Sequence, residues 1–245
     1  MNTIITYVLV HGALLGSGAW DKTVFQLQAL GHNAIVLDLP GRAGDTTDPR
    51  QITLQTAAQK VVDVMKLQPG KVVLVGHSQG GLVISQAAEM LPEKVERLIY
   101  VTALLPKNGQ TLGQIIKDDR DSEIGPNLVI EPEKGTMHFN PRADFRQVFA
   151  HDVSEEEGKR AYANTVPEPL GIGGTPVVLT EERFGKIPRY FVVATEDRVL
   201  TRWLQNKMMA EVGVEGLVSL SSSHSPFLSM PKELAHALVD LGTRP

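Results

Sequence analysis

The 245-residue sequence contains no cysteine, which excludes disulfide bonds, thiolate metal ligands and a cysteine nucleophile. It also has no cluster of lysine and arginine, and a net charge of −4 with a pI near 6.0 gives no electrostatic footprint for nucleic acid. No apolar run approaches the roughly 18 residues that a membrane helix needs. The first residues show neither the basic region nor the cleavage site of a secretory signal. We therefore expect a cytoplasmic protein that binds neither nucleic acid nor membranes.

The stretch Lys71–Ala88 predicts a strand, a sharp turn and a helix in immediate succession. Val72–Val75 is a short β-branched run typical of a buried strand, and Leu82–Met90 carries apolar residues at helical spacing. Between them lies G-H-S-Q-G, residues 76–80. So sharp a turn crowds the residues two before and two after its apex, which glycine tolerates, and it projects the apex side chain beside the positive end of the helix. Ser78 at the apex is therefore a candidate nucleophile.

The bare G-x-S-x-G pattern occurs by chance in roughly one chain in ten of this length, so a glycine-rich turn without function is the alternative. A serine nucleophile needs a base and an acid, and in a parallel sheet such groups gather at the carboxyl ends of strands. Asp197 follows the predicted strand Arg189–Ala194, and His224 follows the predicted strand Gly216–Leu220. Chain order is then Ser, Asp, His, the order used on α/β-hydrolase folds.

Other ionisable residues compete for these roles. Glu196 adjoins Asp197 and is an alternative acid, although the shorter carboxylate fits the turn better. Asp38 also ends a predicted strand but precedes the serine in the chain. We expect His77 to be structural, and we expect His11 to shape its loop by hydrogen bonding rather than to take part in chemistry.

The loop His11–Trp20 is rich in small residues, so its backbone N–H groups can face a ligand. An oxyanion needs such preorganised donors, and we expect them to be the amides of Ala13 and of Gln79, the residue after the serine. Apolar residues near these positions line either a substrate pocket or the core. The candidate pocket residues are Gly12, Leu14, Leu104, Leu105, Phe139, Phe149 and Phe227.

Strands and helices alternate along most of the chain, which predicts an α/β protein with a parallel sheet and right-handed crossovers. Residues 107–187 differ, because they are rich in Pro, Gly, Asp and Glu and have short apolar runs. A structureless loop of this length is unusual, so we interpret it as an inserted cap on a core of residues 1–106 and 188–245. Within the cap the pattern favours helices at Thr111–Ile116 and Phe145–Tyr162 and strands at Met137–Phe139 and Thr175–Leu179.

Three motifs, H-G-A-x-x-G-x-x-x-W, G-H-S-Q-G-G and T-E-D-R…H-S-P-F, resemble the α/β-hydrolase superfamily, especially the branch of plant methylesterases and hydroxynitrile lyases. The resemblance covers nearly the whole chain and is weakest at residues 107–170. It implies the α/β-hydrolase fold, a mostly parallel central sheet flanked by helices with an inserted cap. It also implies a Ser78–His224–Asp197 triad without metal or organic cofactor.

The resemblance favours a serine carboxylic ester hydrolase that acts through an acyl-enzyme. An apolar lining of the candidate pocket would favour small to medium hydrophobic or aromatic esters. Lyases of the rubber-tree type carry threonine and lysine where this chain has Gly12 and Ser225, and a neighbouring lyase type carries asparagine at the first position. Ser78 excludes the haloalkane dehalogenases, which need aspartate there. A hydroxynitrile lyase, a cofactor-free perhydrolase and a small-ligand receptor that uses the hydrolase pocket remain alternatives. The sequence leaves open whether the chain dimerises through the cap or a sheet edge.

Overall fold

The computed structural model describes residues 4–42 and 44–244. Strands and helices alternate along most of the chain. The strands are β1 (Thr6–Val10), β2 (Asn33–Leu37), β3 (Val72–Ser78), β4 (Val95–Ala103), β5 (Leu128–Glu131), β6 (Thr136–Phe139), β7 (Glu168–Pro169), β8 (Arg189–Ala194) and β9 (Gly216–Leu220). The helices are α1 (Asp21–Ala29), α2 (Leu54–Lys66), α3 (Gly80–Met90), α4 (Leu112–Ile116), α5 (Phe145–Phe149), α6 (Glu155–Ala163), α7 (Leu170–Gly174), α8 (Arg202–Val212), α9 (Pro226–Ser229) and α10 (Pro231–Thr243). None of these helices is long and apolar enough to cross a membrane.

The main sheet has the strand order β2-β1-β3-β4-β8-β9, and every neighbouring pair is parallel. Each parallel pair needs a crossover connection, which the flanking helices supply. The register places Val10 beside Gly76 and Ser78 beside Ala103, so the carboxyl ends of β1, β3 and β4 meet at one edge. The predicted α/β fold with a parallel, helix-flanked sheet is confirmed.

Alternation along the strands divides the core into two layers, because successive side chains point to opposite faces of a sheet. Val8 and Leu74 belong to the layer that is covered by α2, α3 and α8. Tyr7 and Val73 belong to the opposite layer, which is covered by α1 and α10. The sheet is therefore buried on both faces, as expected for parallel strands that read as unbroken apolar runs.

Residues 107–187 form a second, three-stranded antiparallel sheet in the order β5-β6-β7, together with the short helices α4 to α7. The predicted helix Phe145–Tyr162 is two helices. Its first part, α5, ends at Phe149, and α6 starts afresh after Ser154, whose hydroxyl caps the helix by accepting a hydrogen bond from the amide of Glu157 at 3.2 Å. The serine is the local signal that a second helix begins.

The predicted strand Thr175–Leu179 was wrong. Its β-branched residues suit a strand, but their backbone groups pair with other partners. The amide of Val177 donates to the carbonyl of Gln110 at 3.0 Å, and the amide of Val178 donates to the Gln86 side chain at 2.9 Å. These bonds tie the segment to α3 and to the start of the insertion instead of to a sheet.

Candidate active site

Ser78 lies where β3 turns into α3, in the left-handed backbone region with φ of 52°. The turn is as crowded as the sequence suggested. A Cβ atom on Gly76 would lie 2.7 Å from the carbonyl oxygen of Gly80, and one on Gly80 would lie 2.7 Å from the carbonyl oxygen of His11. Both glycines are therefore required by close backbone approach, and the turn presents the half-buried serine at the start of α3.

Asp197 and His224 follow β8 and β9, and the structure brings the two buried side chains together. The Nδ1 atom of His224 lies 2.6 Å from Oδ2 of Asp197. With Nδ1–H donating to the carboxylate, the neutral ring carries its lone pair on Nε2. That Nε2 is buried without a hydrogen-bond partner in the described part of the chain, and the hydroxyl of Ser78 is not bonded to it. The arrangement leaves a proton acceptor available.

Four hydrogen bonds hold the carboxylate of Asp197. Oδ1 accepts from the amides of Val199 and Leu200 at 2.7 and 3.0 Å, and Oδ2 accepts from His224 and from the hydroxyl of Thr102. Thr102 lies at the end of β4 with φ of 35°, which is a strained value for a β-branched residue. Sequence reasoning missed this contact, although a polar residue at the carboxyl end of a predicted strand was the available signal.

The two rival acids lie elsewhere. The side chain of Glu196 is about half exposed, with 52% of its surface accessible. Asp38 accepts a hydrogen bond from the amide of Ser17 at 2.7 Å. Of the three carboxylates that sequence reasoning considered, Asp197 is the one bonded to His224.

The other two histidines of the site hold backbone groups in place. His77 Nε2 lies 2.8 Å from the carbonyl oxygen of His224, and burial lowers the pKa of His77 well below its usual value. His11 Nδ1 lies 2.9 Å from the carbonyl of Gly12, its Nε2 accepts from the amide of Leu39 at 3.1 Å, and burial lowers its pKa to about 3. Within the described ranges, no group of three or more His, Asp and Glu side chains is arranged to hold a metal ion.

The amides of Ala13 and Gln79 flank the serine from two different loops. Neither donates a hydrogen bond to any acceptor in residues 4–42 and 44–244, so both are available to a ligand. The loop comes very close to the serine, because a Cβ atom on Gly12 would lie 2.7 Å from Nδ1 of His77 and 2.8 Å from Cβ of Ser78. A residue with a side chain at position 12 would push the loop away.

A buried carboxylate that sequence reasoning did not identify lies beside these amides. Glu168 of β7 accepts from the amide of Leu14 at 2.9 Å and from the side-chain amide of Gln79 at 2.5 Å, and it forms a buried ion pair with Arg42. Burial raises the pKa of Glu168, and the charge of Arg42 opposes that effect. A single glutamate between two prolines, 154 residues from Leu14 in the chain, carries no sequence signal for this role.

Apart from Gly12, which packs against Ser78, the candidate pocket residues divide into two groups. The buried core layer that also contains α3 includes Leu14, Leu104, Leu105, Phe139 and Phe149. The ring of Phe149 lies 5.6 Å from that of His224, so it borders the site. The ring of Phe227 lies in the opposite layer, 5.6 Å from Trp20 and 4.8 Å from His77, and lines a cavity of about 390 Å³ next to residues 15–19. The structure does not bring Phe227 together with the other five.

A sequence profile of the alpha/beta hydrolase family matches residues 7–237. The chain belongs to the alpha/beta hydrolase family. It is 32% identical to pyrethroid hydrolase from Sphingobium wenxiniae, over 99% of this chain and 89% of that protein. It is 29% identical to methylesterase 1 from Arabidopsis thaliana, over 94% and 92%. The crystal structure of a pyrethroid hydrolase from Sphingobium faniae JZ-2 superimposes with a TM-score of 0.90 at 29% identity, covering 99% of each chain. This hydrolase is an esterase of the branch that contains the plant methylesterases.

Proposed function

We propose that this hydrolase cleaves small to medium hydrophobic or aromatic carboxylic esters through a Ser78–His224–Asp197 triad and an acyl-enzyme. The observation that carries the proposal is the Asp197–His224 pair, which leaves the buried Nε2 of His224 without a hydrogen-bond partner among the described residues. The ring of His224 lies 4.6 Å from that of His77, the residue before the strained Ser78. The names of the relatives, methylesterase and pyrethroid hydrolase, support ester bonds as the target.

In the proposed mechanism, Nε2 of His224 takes the proton of the Ser78 hydroxyl as its oxygen attacks the ester carbonyl. Asp197 accepts the hydrogen bond from Nδ1, fixes the tautomer and stabilises the imidazolium that forms. The imidazolium then protonates the leaving alcohol. Water attacks the acyl group by the same route and releases the acid.

The negative charge that develops on the carbonyl oxygen needs donors that are already in place. The amides of Ala13 and Gln79 are suited to this role because neither is engaged within the described residues. Removing one donor of such a site typically costs about 10² to 10³ in kcat, so the geometry of these two amides governs much of the rate.

Aromatic residues of the predicted cap support apolar substrates. Phe149 stacks on Phe145 with ring centroids 4.6 Å apart and meets Phe139 edge to face at 5.7 Å. Because the ring of Phe149 also adjoins His224, this cluster forms an apolar wall beside the reacting atoms. Such a wall favours aromatic or aliphatic groups over charged ones.

Initial rates with p-nitrophenyl esters from acetate to decanoate test the proposal in the wild type and in Ser78→Ala. We expect the variant to lose at least about 10³-fold in kcat, because the nucleophile is removed. Ser221→Ala, which changes an exposed serine near His224, is the matched control and should retain the wild-type rate. Equal rates in the wild type and Ser78→Ala would show that Ser78 is not the nucleophile.

Three further assays distinguish the esterase from the lyase, the perhydrolase and the receptor. The lyase alternative requires cyanide release from a cyanohydrin. A Cβ atom at position 12 would lie 2.8 Å from Cβ of Ser78, so the threonine of the rubber-tree lyases would require this loop to shift. A perhydrolase would need hydrogen peroxide as the acceptor of the acyl group. If the protein is a receptor, the Ser78→Ala variant would still bind its ligand and signal. If it is an esterase, the same variant would lose ester hydrolysis.

A further inference from the structure

Glu168 reaches the candidate oxyanion hole from the insertion at residues 107–187. Its two carboxylate oxygens bond two different loops. Oε2 accepts from the backbone amide of Leu14, the residue after Ala13, and Oε1 accepts from the side chain of Gln79. One carboxylate therefore contacts the immediate neighbour of one proposed oxyanion donor and the side chain of the other.

The loop that carries Ala13 depends on these contacts for its shape. Leu14 has φ of 66°, a left-handed value that is strained for a residue other than glycine and persists where the surrounding contacts hold it. Its amide donates to Glu168, and its carbonyl accepts from the amide of Val166 at 2.9 Å. Both backbone groups of the strained residue are thus bonded to the same short stretch of the insertion.

The positive charge of Arg42 stabilises the buried carboxylate of Glu168. Its Nη2 pairs with Glu168, and its Nε donates to the carbonyl of Leu15 at 2.7 Å. Both charged side chains are almost fully buried. An unpaired anion behind the hole would oppose the negative charge of the transition state, whereas the pair is neutral overall.

We propose that Glu168 is a positioning residue that aligns the amides of Ala13 and Gln79 for the oxyanion. This inference rests on the proposed function. Donors of an oxyanion hole act within 2.7–3.1 Å of the developing charge, and a misplacement of about 1 Å costs roughly 10²-fold in rate. Since the misplaced donors matter in the transition state, the loss falls on kcat rather than on KM.

Glu168→Gln tests the proposal, with Glu89→Gln as its matched control. The carboxamide has no charge to pair with Arg42 and one acceptor oxygen instead of two, so it cannot replace all the bonds that the carboxylate makes to Leu14, Gln79 and Arg42. Glu89 is also a buried carboxylate that bonds the insertion, through the amides of Thr180 and Phe184, but it lies at the far end of α3. We expect Glu168→Gln to lower kcat for p-nitrophenyl acetate about 10-fold to 100-fold with KM changed less than about 2-fold. We expect Glu89→Gln to retain wild-type kcat.

Inhibition by phenylboronic acid supplies a readout that a purely structural role would not move. The oxygen of Ser78 adds to the boron as the hydroxyl proton passes to His224, which forms a tetrahedral boronate anion like the transition state. Its inhibition constant should rise in Glu168→Gln in proportion to the loss of kcat/KM. Wild-type kcat and inhibition in Glu168→Gln, or equal losses of kcat in both variants, would overturn the inference.

Gln79→Ala keeps the proposal testable if Glu168→Gln does not fold. It removes the side chain bonded to Oε1 and leaves the backbone amide in place, so kcat should fall several-fold at constant KM, and unchanged kcat would overturn the inference. Where both fold, the double variant should lose less than the product of the two single losses. A Ser78→Ala variant with the wild-type rate would instead overturn the proposed function itself.

Discussion

Leu14, Ser78 and Thr102 are the three non-glycine residues with positive φ among those that the structure describes, and all three lie at the candidate site. Strained backbone of this kind persists where the surroundings over-determine it. Here the surroundings are polar contacts, since Glu168 bonds the amide of Leu14 and Asp197 bonds the hydroxyl of Thr102. The carbonyl of Ser78 likewise accepts from the amide of Leu104 at 3.0 Å, so hydrogen bonds hold all three strained residues in place.

Because His11 is buried, we expect the free energy of unfolding to depend on pH. The pKa of His11 is about 3 in the folded chain, against about 6.5 in an unfolded one, so the unfolded chain binds more protons between these values. The stabilising contribution is complete above pH 6.5 and is lost as pH falls towards 3. We expect the free energy of unfolding to fall by about 1 kcal/mol per pH unit below pH 6.5 through His11 alone.

Urea unfolding at pH 7, 6 and 5 measures this slope. His11→Gln should have a shallower slope than the wild type by about 1 kcal/mol per pH unit. His236→Gln, which changes an exposed histidine on α10, should keep the wild-type slope. Identical slopes in the wild type and His11→Gln would contradict the account.

Among the elements, the strands and the turn of the serine could be predicted because their signals are local. The run Val72–Val75, the flanking glycines and the helical spacing after Gly80 agree on one geometry. The insertion could be predicted less well, because its short segments depend on distant partners. Residues 175–179 have strand-forming side chains, but their backbone bonds go to α3 and to Gln110.

Helix α5 carries the prediction about substrate size. Phe149 adjoins the ring of His224, whereas its neighbour Phe145 stacks on Phe149 from behind. Phe149→Leu should therefore enlarge the site and raise the ratio of kcat/KM for decanoate over acetate about 3-fold to 10-fold, in the range that a methylene or two is worth in an apolar pocket.

Phe145→Leu is the matched control, because it makes the same change in the same cluster without contact to His224. It should leave the decanoate-to-acetate ratio within about 2-fold of the wild type. An unchanged ratio in Phe149→Leu, or an equal change in both variants, would place the acyl group of the substrate elsewhere.

At the scale of the whole molecule, the parallel sheet made it possible to predict the pairing of Asp197 with His224 from the sequence. Asp197 and His224 are 27 residues apart and could be paired from sequence because both follow strands whose carboxyl ends share one edge. Arg42 and Glu168 follow no such rule. They are 126 residues apart, and the fold of the insertion alone brings Glu168 to the oxyanion loop.

Covalent trapping tests the central claim, that Ser78 is the nucleophile, most directly. The enzyme is treated with a p-nitrophenyl phosphonate, digested and analysed by mass spectrometry. We predict one equivalent of label on the peptide that contains Ser78, with loss of activity in proportion and no label in Ser78→Ala. Label on another residue, or full activity after stoichiometric labelling of Ser78, would contradict the account.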